Sequence, residues 1–206
     1  MASVIVSPAD VVNLSLQRIG YKGRIGNIFD GSEAAKDALD IYSQTRDDLL
    51  REGEGWPFAS RSVAATLLKS APVGGYFPPN TWTSAYPAQP WRFEYSYPTD
   101  CLELRACKPA VFFVPNFMPQ PYTFAISNDN GFTPSRRVIL SNVQDAMLIY
   151  TGQVTDPALW PPDFVEAFAA ALGQRLAGSL MKSLDMVKLE AADTAAETAE
   201  ANRKQG

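Results

Sequence analysis

Along the start of the chain, apolar and polar positions recur with a helical period. Val12, Leu16 and Ile19 fall at the spacing that lines one helix face. Ser7-Pro8-Ala9-Asp10 precedes them and supplies an N-cap hydroxyl, a proline at the first helical position and an acid in the first turn. Gly20 is placed to end this helix, and 21–31 reads as a glycine-rich loop. A second helix is predicted from Ser32, with Glu33 and Asp37 early, where acids suit the helix dipole. Ala35, Leu39, Tyr42, Leu49 and Leu50 mark its apolar face; Lys36, Asp40, Arg46, Asp47 and Arg51 mark the polar one, over about five turns. Gly53 and Gly55 stop it. Trp56-Pro57-Phe58-Ala59 then puts bulky aromatics where the helix ends.

The middle of the chain changes period. Residues 72–90 mix prolines, glycines and aromatics without helical or strand repeat, which predicts a long loop. Short β-like runs follow at 91–97, 101–107, 122–126, 136–141 and 146–151, separated by Pro98-Thr99-Asp100, Asn128-Asp129-Asn130-Gly131 and Ser141-Asn142. In Arg92-Phe93-Glu94-Tyr95-Ser96-Tyr97 polar and aromatic residues alternate, as in a sheet with one wet face. Helix returns at Pro161-Pro162-Asp163, with Phe164, Phe168, Leu172, Leu176 and Leu180 at every fourth position. Ala169, Ala171, Gly173, Ala177 and Gly178 keep that helix slim enough for close neighbours. Residues 183–203 are helix-prone but carry few large apolar side chains beyond Leu184, Val187 and Leu189, so this segment either frays or packs on a partner.

The expected fold class is therefore α+β: a helical bundle formed by N- and C-terminal helices, with an inserted small antiparallel β-sheet module. The divisions fall at 1–60, 61–155 and 156–206, the middle part holding the long loop.

Composition narrows the chemistry. The 206 residues carry a net charge of −4 and no histidine. Without histidine, Ser-His-Asp and Cys-His mechanisms and His-ligated metals are closed to this chain. No block of Lys or Arg offers a footprint for gripping phosphates; Arg136-Arg137 and Arg203-Lys204 are too small. No apolar run approaches the ~20 residues needed to cross a bilayer. The first eight residues lack a basic region and an apolar stretch, so the sequence reads as an intracellularly made, soluble protein. Cys101 and Cys107, on an extended strand at ~3.3 Å per residue, lie too far apart for a disulfide and read as buried thiols.

Several groups could carry function, and each has a plainer reading. Asp100 and Glu103 are close in sequence, but odd spacing on a strand puts them on opposite faces. Asp47 and Asp48 fall on the exposed side of the second helix, and Glu52 and Glu54 flank its stop. All read as solvated surface acids. The glycines at 20, 23, 26 and 31 follow a helix rather than a strand and read as turn residues, not a phosphate loop. Glu190, Asp193, Glu197 and Glu200 share one helical face, either as a solvated stripe or as an acidic surface lining a DNA channel. Tyr76, Phe77, Trp82, Tyr86 and Trp91 either cover the sheet as core or anchor an interface with a neighbouring subunit.

Taken in order, several segments resemble the head-to-tail adaptor of short-tailed bacteriophages, the tail tubular protein A and tail accessory factor family. They are Leu14-Ser15-Leu16-Gln17-Arg18-Ile19-Gly20, Ser32-Glu33-Ala34-Ala35, Leu49-Leu50-Arg51 through Trp56-Pro57-Phe58-Ala59, and Tyr97-Pro98-Thr99-Asp100-Cys101-Leu102-Glu103-Leu104. The stretch from Tyr150-Thr151 through Pro157-Ala158-Leu159-Trp160 and Phe164-Val165-Glu166-Ala167 to Leu176-Ala177 is similar to the family's closing segment. The likeness spans most of the chain through packing residues; 72–90 has no counterpart. It implies a non-enzymatic virion protein at the head–tail junction, without cofactor or active site. Such proteins form a dodecameric ring beneath the portal, receive the tail nozzle and extend a channel through which DNA passes without specific binding. On that likeness the C-terminal segment with Leu184, Val187 and Leu189 docks on the portal, and the β module faces the next tail protein. The alternative is a carboxylate-based peptidoglycan hydrolase or glycan-binding module on the β insertion, for which Asp100 and Glu103 are the acids to change.

Overall fold

The computed structural model describes residues 7–72, 74, 82–110, 122–131 and 134–180. The chain divides into two compact units: Met1–Ala59 with Gln153–Gly206, and Ser60–Gly152. The protein is thus α+β, with helices in the first unit and antiparallel sheets in the second.

Among the described residues the first unit has three α-helices: α1 (Pro8–Arg18), α2 (Glu33–Arg51) and α3 (Pro162–Leu180). The start of α1 follows from its sequence. The Ser7 hydroxyl accepts from the Asp10 N–H at 3.3 Å, and the Asp10 carboxylate accepts from the Ser7 N–H at 3.1 Å, satisfying two otherwise orphan donors. Gly20 ends it at φ 75°, a conformation open to glycine. Val12, Leu16, Phe164, Phe168, Leu172 and Leu176 are fully buried, and α1 and α2 each pack against α3. At Gly173 α1 comes close: a Cβ there would lie 3.1 Å from the Ser15 carbonyl oxygen.

Trp56 closes the base of α2. Its indole N–H donates to the Leu49 carbonyl at 3.0 Å, and its ring meets Phe164 edge-on at 5.0 Å. Phe58, Trp160, Phe168 and Tyr42 extend this cluster. Each such ring pair contributes roughly 0.5–1.5 kcal/mol beyond area burial.

The polar face expected for α2 needs correction. Its buried stripe runs through Ala34, Ala38, Tyr42, Thr45, Arg46 and Leu49. That stripe takes in Arg46, which is 6% exposed, and leaves out Leu39, which is 42% exposed. Arg46 remains tolerable there because Asp47 accepts from its Nε at 2.8 Å. Asp47 also accepts from Gln153, and Asp48 pairs with Arg175 of α3 at 2.9 Å. These two acids tie the helical unit together rather than pointing freely into water.

The second unit holds seven strands among the described residues: β1 (Ser60–Ala64), β2 (Leu67–Ser70), β3 (Phe93–Ser96), β4 (Cys101–Pro109), β5 (Phe124–Asp129), β6 (Arg136–Ser141) and β7 (Ala146–Gly152). They make two antiparallel sheets, ordered β1-β7-β4 and β2-β3-β6-β5, where one small sheet was expected. The strands missing from the sequence pattern are β1 and β2. Every residue of β1 is exposed, so Ser60-Arg61-Ser62-Val63-Ala64 has no apolar alternation to read. β2 is short and carries an irregularity between Leu67 and Lys69. β5 also extends through Asn128 and Asp129, so the turn expected over 128–131 begins later. Between the sheets Tyr95 and Ile139 pack with Cys101, Leu104, Cys107, Leu148 and Tyr150. Both thiols are free and buried.

Candidate functional site

The other face of the four-stranded sheet is partly covered. β6 is buried on both sides: Ile139 joins the core between the sheets, while Val138 and Leu140 line a cavity of about 220 Å³. Trp82, Ser84, Tyr86 and Ala88 form its other wall. Strand alternation carries Glu94 to this side, opposite its neighbours Phe93 and Tyr95, so the residue expected in solvent is 3% exposed. This corrects the one-wet-face reading of 92–97.

Three charged side chains meet in the cavity. Lys69 comes from β2, Glu94 from β3 and Asp129 from the end of β5. The Lys69 ammonium is hydrogen-bonded to Asp129 Oδ2 and lies 3.5 Å from Glu94 Oε1. Asp129 Oδ1 accepts from the Gly131 N–H at 2.9 Å. Glu94 Oε1 accepts no well-formed hydrogen bond; the Lys69 ammonium faces it as an ion pair at 3.5 Å.

The two carboxyls are pushed apart electrostatically. Burial, then a hydrogen bond to Asp129 made by the protonated form, raises the Glu94 pKa to about 7, with Lys69 opposing. Burial acts on Asp129 in the same direction, but hydrogen bonds from Lys69 and Gly131 outweigh it and hold its pKa below the usual value. Glu94 is thus an acid poised to hold a proton, and Asp129 a carboxylate kept ionised. Such splitting suits acid–base work, yet glycoside hydrolysis needs its two carboxyls about 5 Å or more apart. A pair joined by a hydrogen bond is closer than that. A metal fits poorly too, because the Lys69 ammonium already sits between the acids. No group of three or more His, Cys, Asp or Glu suited to a metal occurs among the described residues.

The acids singled out from the sequence are placed separately. Asp100 lies in the turn before β4, outside the strand; it accepts from the Tyr150 hydroxyl at 2.9 Å and pairs with Arg61 Nε at 3.1 Å. Glu103, on β4, pairs with Arg105 at 2.9 Å. Neither faces the cavity. Of the aromatic set, Trp82 and Tyr86 line the cavity, with the Trp82 indole N–H donating to the Pro87 carbonyl at 2.9 Å and the side chain still 45% exposed. Trp91 is half-buried just before β3. Tyr76 and Phe77 lie outside the described residues, as do Leu184, Val187, Leu189, Glu190, Asp193, Glu197 and Glu200. Lys69, Glu94 and Asp129 were not legible as a site, since Lys69 sits in a strand that the pattern did not show and the two acids in runs whose local pattern says only strand or turn. No helix among the described residues is long and apolar enough to cross a membrane. No family model matches the chain, and no curated protein matches it.

Proposed function

We propose that this chain is a structural virion protein, the subunit of a head-to-tail connector ring joining portal to tail nozzle and extending the DNA channel. Chain order is the observation that carries the reading: both ends of the chain belong to one helical unit, and a β unit lies between them. In the proposed subunit the N- and C-terminal helices form a bundle that stands beside its neighbours in a dodecameric ring. The β unit is the platform for the next tail protein. The resemblance of the packing segments supports this, and so does the absence of histidine. The net charge of −4 suits a wall that DNA slides past rather than grips. Binding here is assembly, without cofactor or catalysis.

The hydrolase alternative draws less support, because Asp100 and Glu103 are each paired with an arginine and Glu94 and Asp129 stand too close together. Mixing the purified protein with portal rings and imaging by electron microscopy tests the proposal. Added ring-shaped density is expected, and bare portals would count decisively against it. Deleting 184–206 is expected to abolish docking while the rest stays folded; a truncated protein that docks normally would remove that segment from the mechanism.

A further inference from the structure

We infer that Lys69, Glu94 and Asp129 form a proton-operated clasp across the four-stranded sheet, closed while Glu94 holds a proton and loosened when it is ionised. The clasp stands on geometry. β2 and β5 are the two edges of the sheet, and the Lys69–Asp129 ion pair joins them across its face, with Glu94 of β3 between. Protonated, Glu94 hydrogen-bonds to Asp129, and the single ammonium neutralises the single carboxylate. Ionised, the buried Glu94 carboxylate and the half-buried Asp129 carboxylate share one ammonium, and the Lys69 contact at 3.5 Å is too long to offset the hydration that Glu94 Oε1 has lost.

The other charged groups nearby do not remove this conflict. Arg136, paired in register with Asp129, shares the strand face of Val138 and Leu140 but does not line the cavity. Arg92, two residues before Glu94, is exposed and lies over the Phe93 ring. The cavity wall of Trp82, Ser84, Tyr86 and Ala88 adds one phenol and no charge. The weakest element under this load is β2, which is short, irregular and, among the described residues, paired only with β3. Release of Lys69 therefore frees an edge strand, whose unpaired backbone is a surface for other chains.

The sign follows from the raised pKa. Folded Glu94 keeps its proton up to about pH 7. Unfolded, it loses that proton near an ordinary glutamate value of about 4.3. The clasp's contribution is full below the unfolded value and is lost as pH rises through the folded one.

Amide hydrogen exchange on the full chain, expressed as protection factors to remove the chemical pH dependence, reads the clasp directly. The Ala71 N–H, bonded to Arg92 at 2.7 Å, and the Ser96 N–H, bonded to Thr66 at 2.9 Å, report on β2–β3 pairing. The Ala65 N–H, bonded to Ala146 at 2.8 Å, reports on the other sheet. Protection at Ala71 and Ser96 should fall between about pH 5 and about pH 7, by at most about tenfold per unit, while Ala65 holds. Glu94→Gln should abolish the dependence. Asp129→Asn, which leaves Lys69 to Glu94 alone, should move the midpoint to lower pH and provides a reading independent of whether Glu94→Gln folds. A flat wild-type profile, an unchanged slope in Glu94→Gln, an unmoved midpoint in Asp129→Asn or a parallel fall at Ala65 would each overturn the clasp.

Discussion

Individual residues in this protein are governed more by burial than by type. Cys101 and Cys107 show it on the inner side of the β unit. Burial pushes both thiols above their ordinary pKa, with only weak hydrogen-bond opposition from Tyr97 and Ser141 respectively. Thiolate is the reactive form, so iodoacetamide at about pH 8 should label neither thiol in the folded protein and both in urea, as read by intact mass. Labelling at the rate of free cysteine would contradict the burial. Because the folded thiols hold their protons longer than the unfolded ones, they also make stability fall as pH rises above about 8.5. Arg46 and Glu94 carry the same lesson for charged residues: each was read as solvent-facing from its neighbours, and each is buried beside a partner of opposite sign.

Among the elements, α3 decides how the helical unit closes. It is slim at Gly173 because α1 needs the space, whereas no described atom lies within 4 Å of a Cβ at Gly178. The two glycines should therefore respond oppositely. Gly173→Val drives a branched side chain toward the Ser15 carbonyl and should cost about 1–3 kcal/mol in urea unfolding. Gly178→Ala meets nothing and should stabilise by up to about 1 kcal/mol through helix propensity. Equal effects at the two sites would mean that the α1–α3 approach is not what Gly173 provides. The spacing of Phe164, Phe168, Leu172 and Leu176 made α3 legible, since one buried stripe repeats along it. β1 was not legible, because a strand exposed along its whole length leaves no period in its residues.

At the scale of the molecule, two units fold around separate cores. The β unit has its own, from Tyr95 to Tyr150, and its ends are paired, with Ser60 opposite Thr151 in the register of β1 and β7. A fragment spanning 60–152 should consequently fold alone, with one cooperative urea transition and the near-ultraviolet dichroism of packed aromatics. A fragment with strand content but no cooperative transition would show that the β unit depends on the helices. If the chain builds a ring as proposed, this separation lets the helical and β parts meet different partners.

By itself the sequence determined what local chemistry can dictate. The caps at Ser7 and Ser32, the stops at Gly20 and Gly53, and the buried face of α3 follow from groups a few residues apart. So does the docking of Trp56 at the end of α2, and the α+β class follows from the change of period alone. Only the tertiary structure decided that there are two sheets and that the second face of one is partly covered. It also brought Lys69, Glu94 and Asp129 together. These three come from separate strands, and neither a strand's period nor its neighbours record what lies across the sheet. Burial of a charge depends on the element that covers it, and here the cover comes from the loop at Trp82 and Tyr86, where no periodic pattern was present to read.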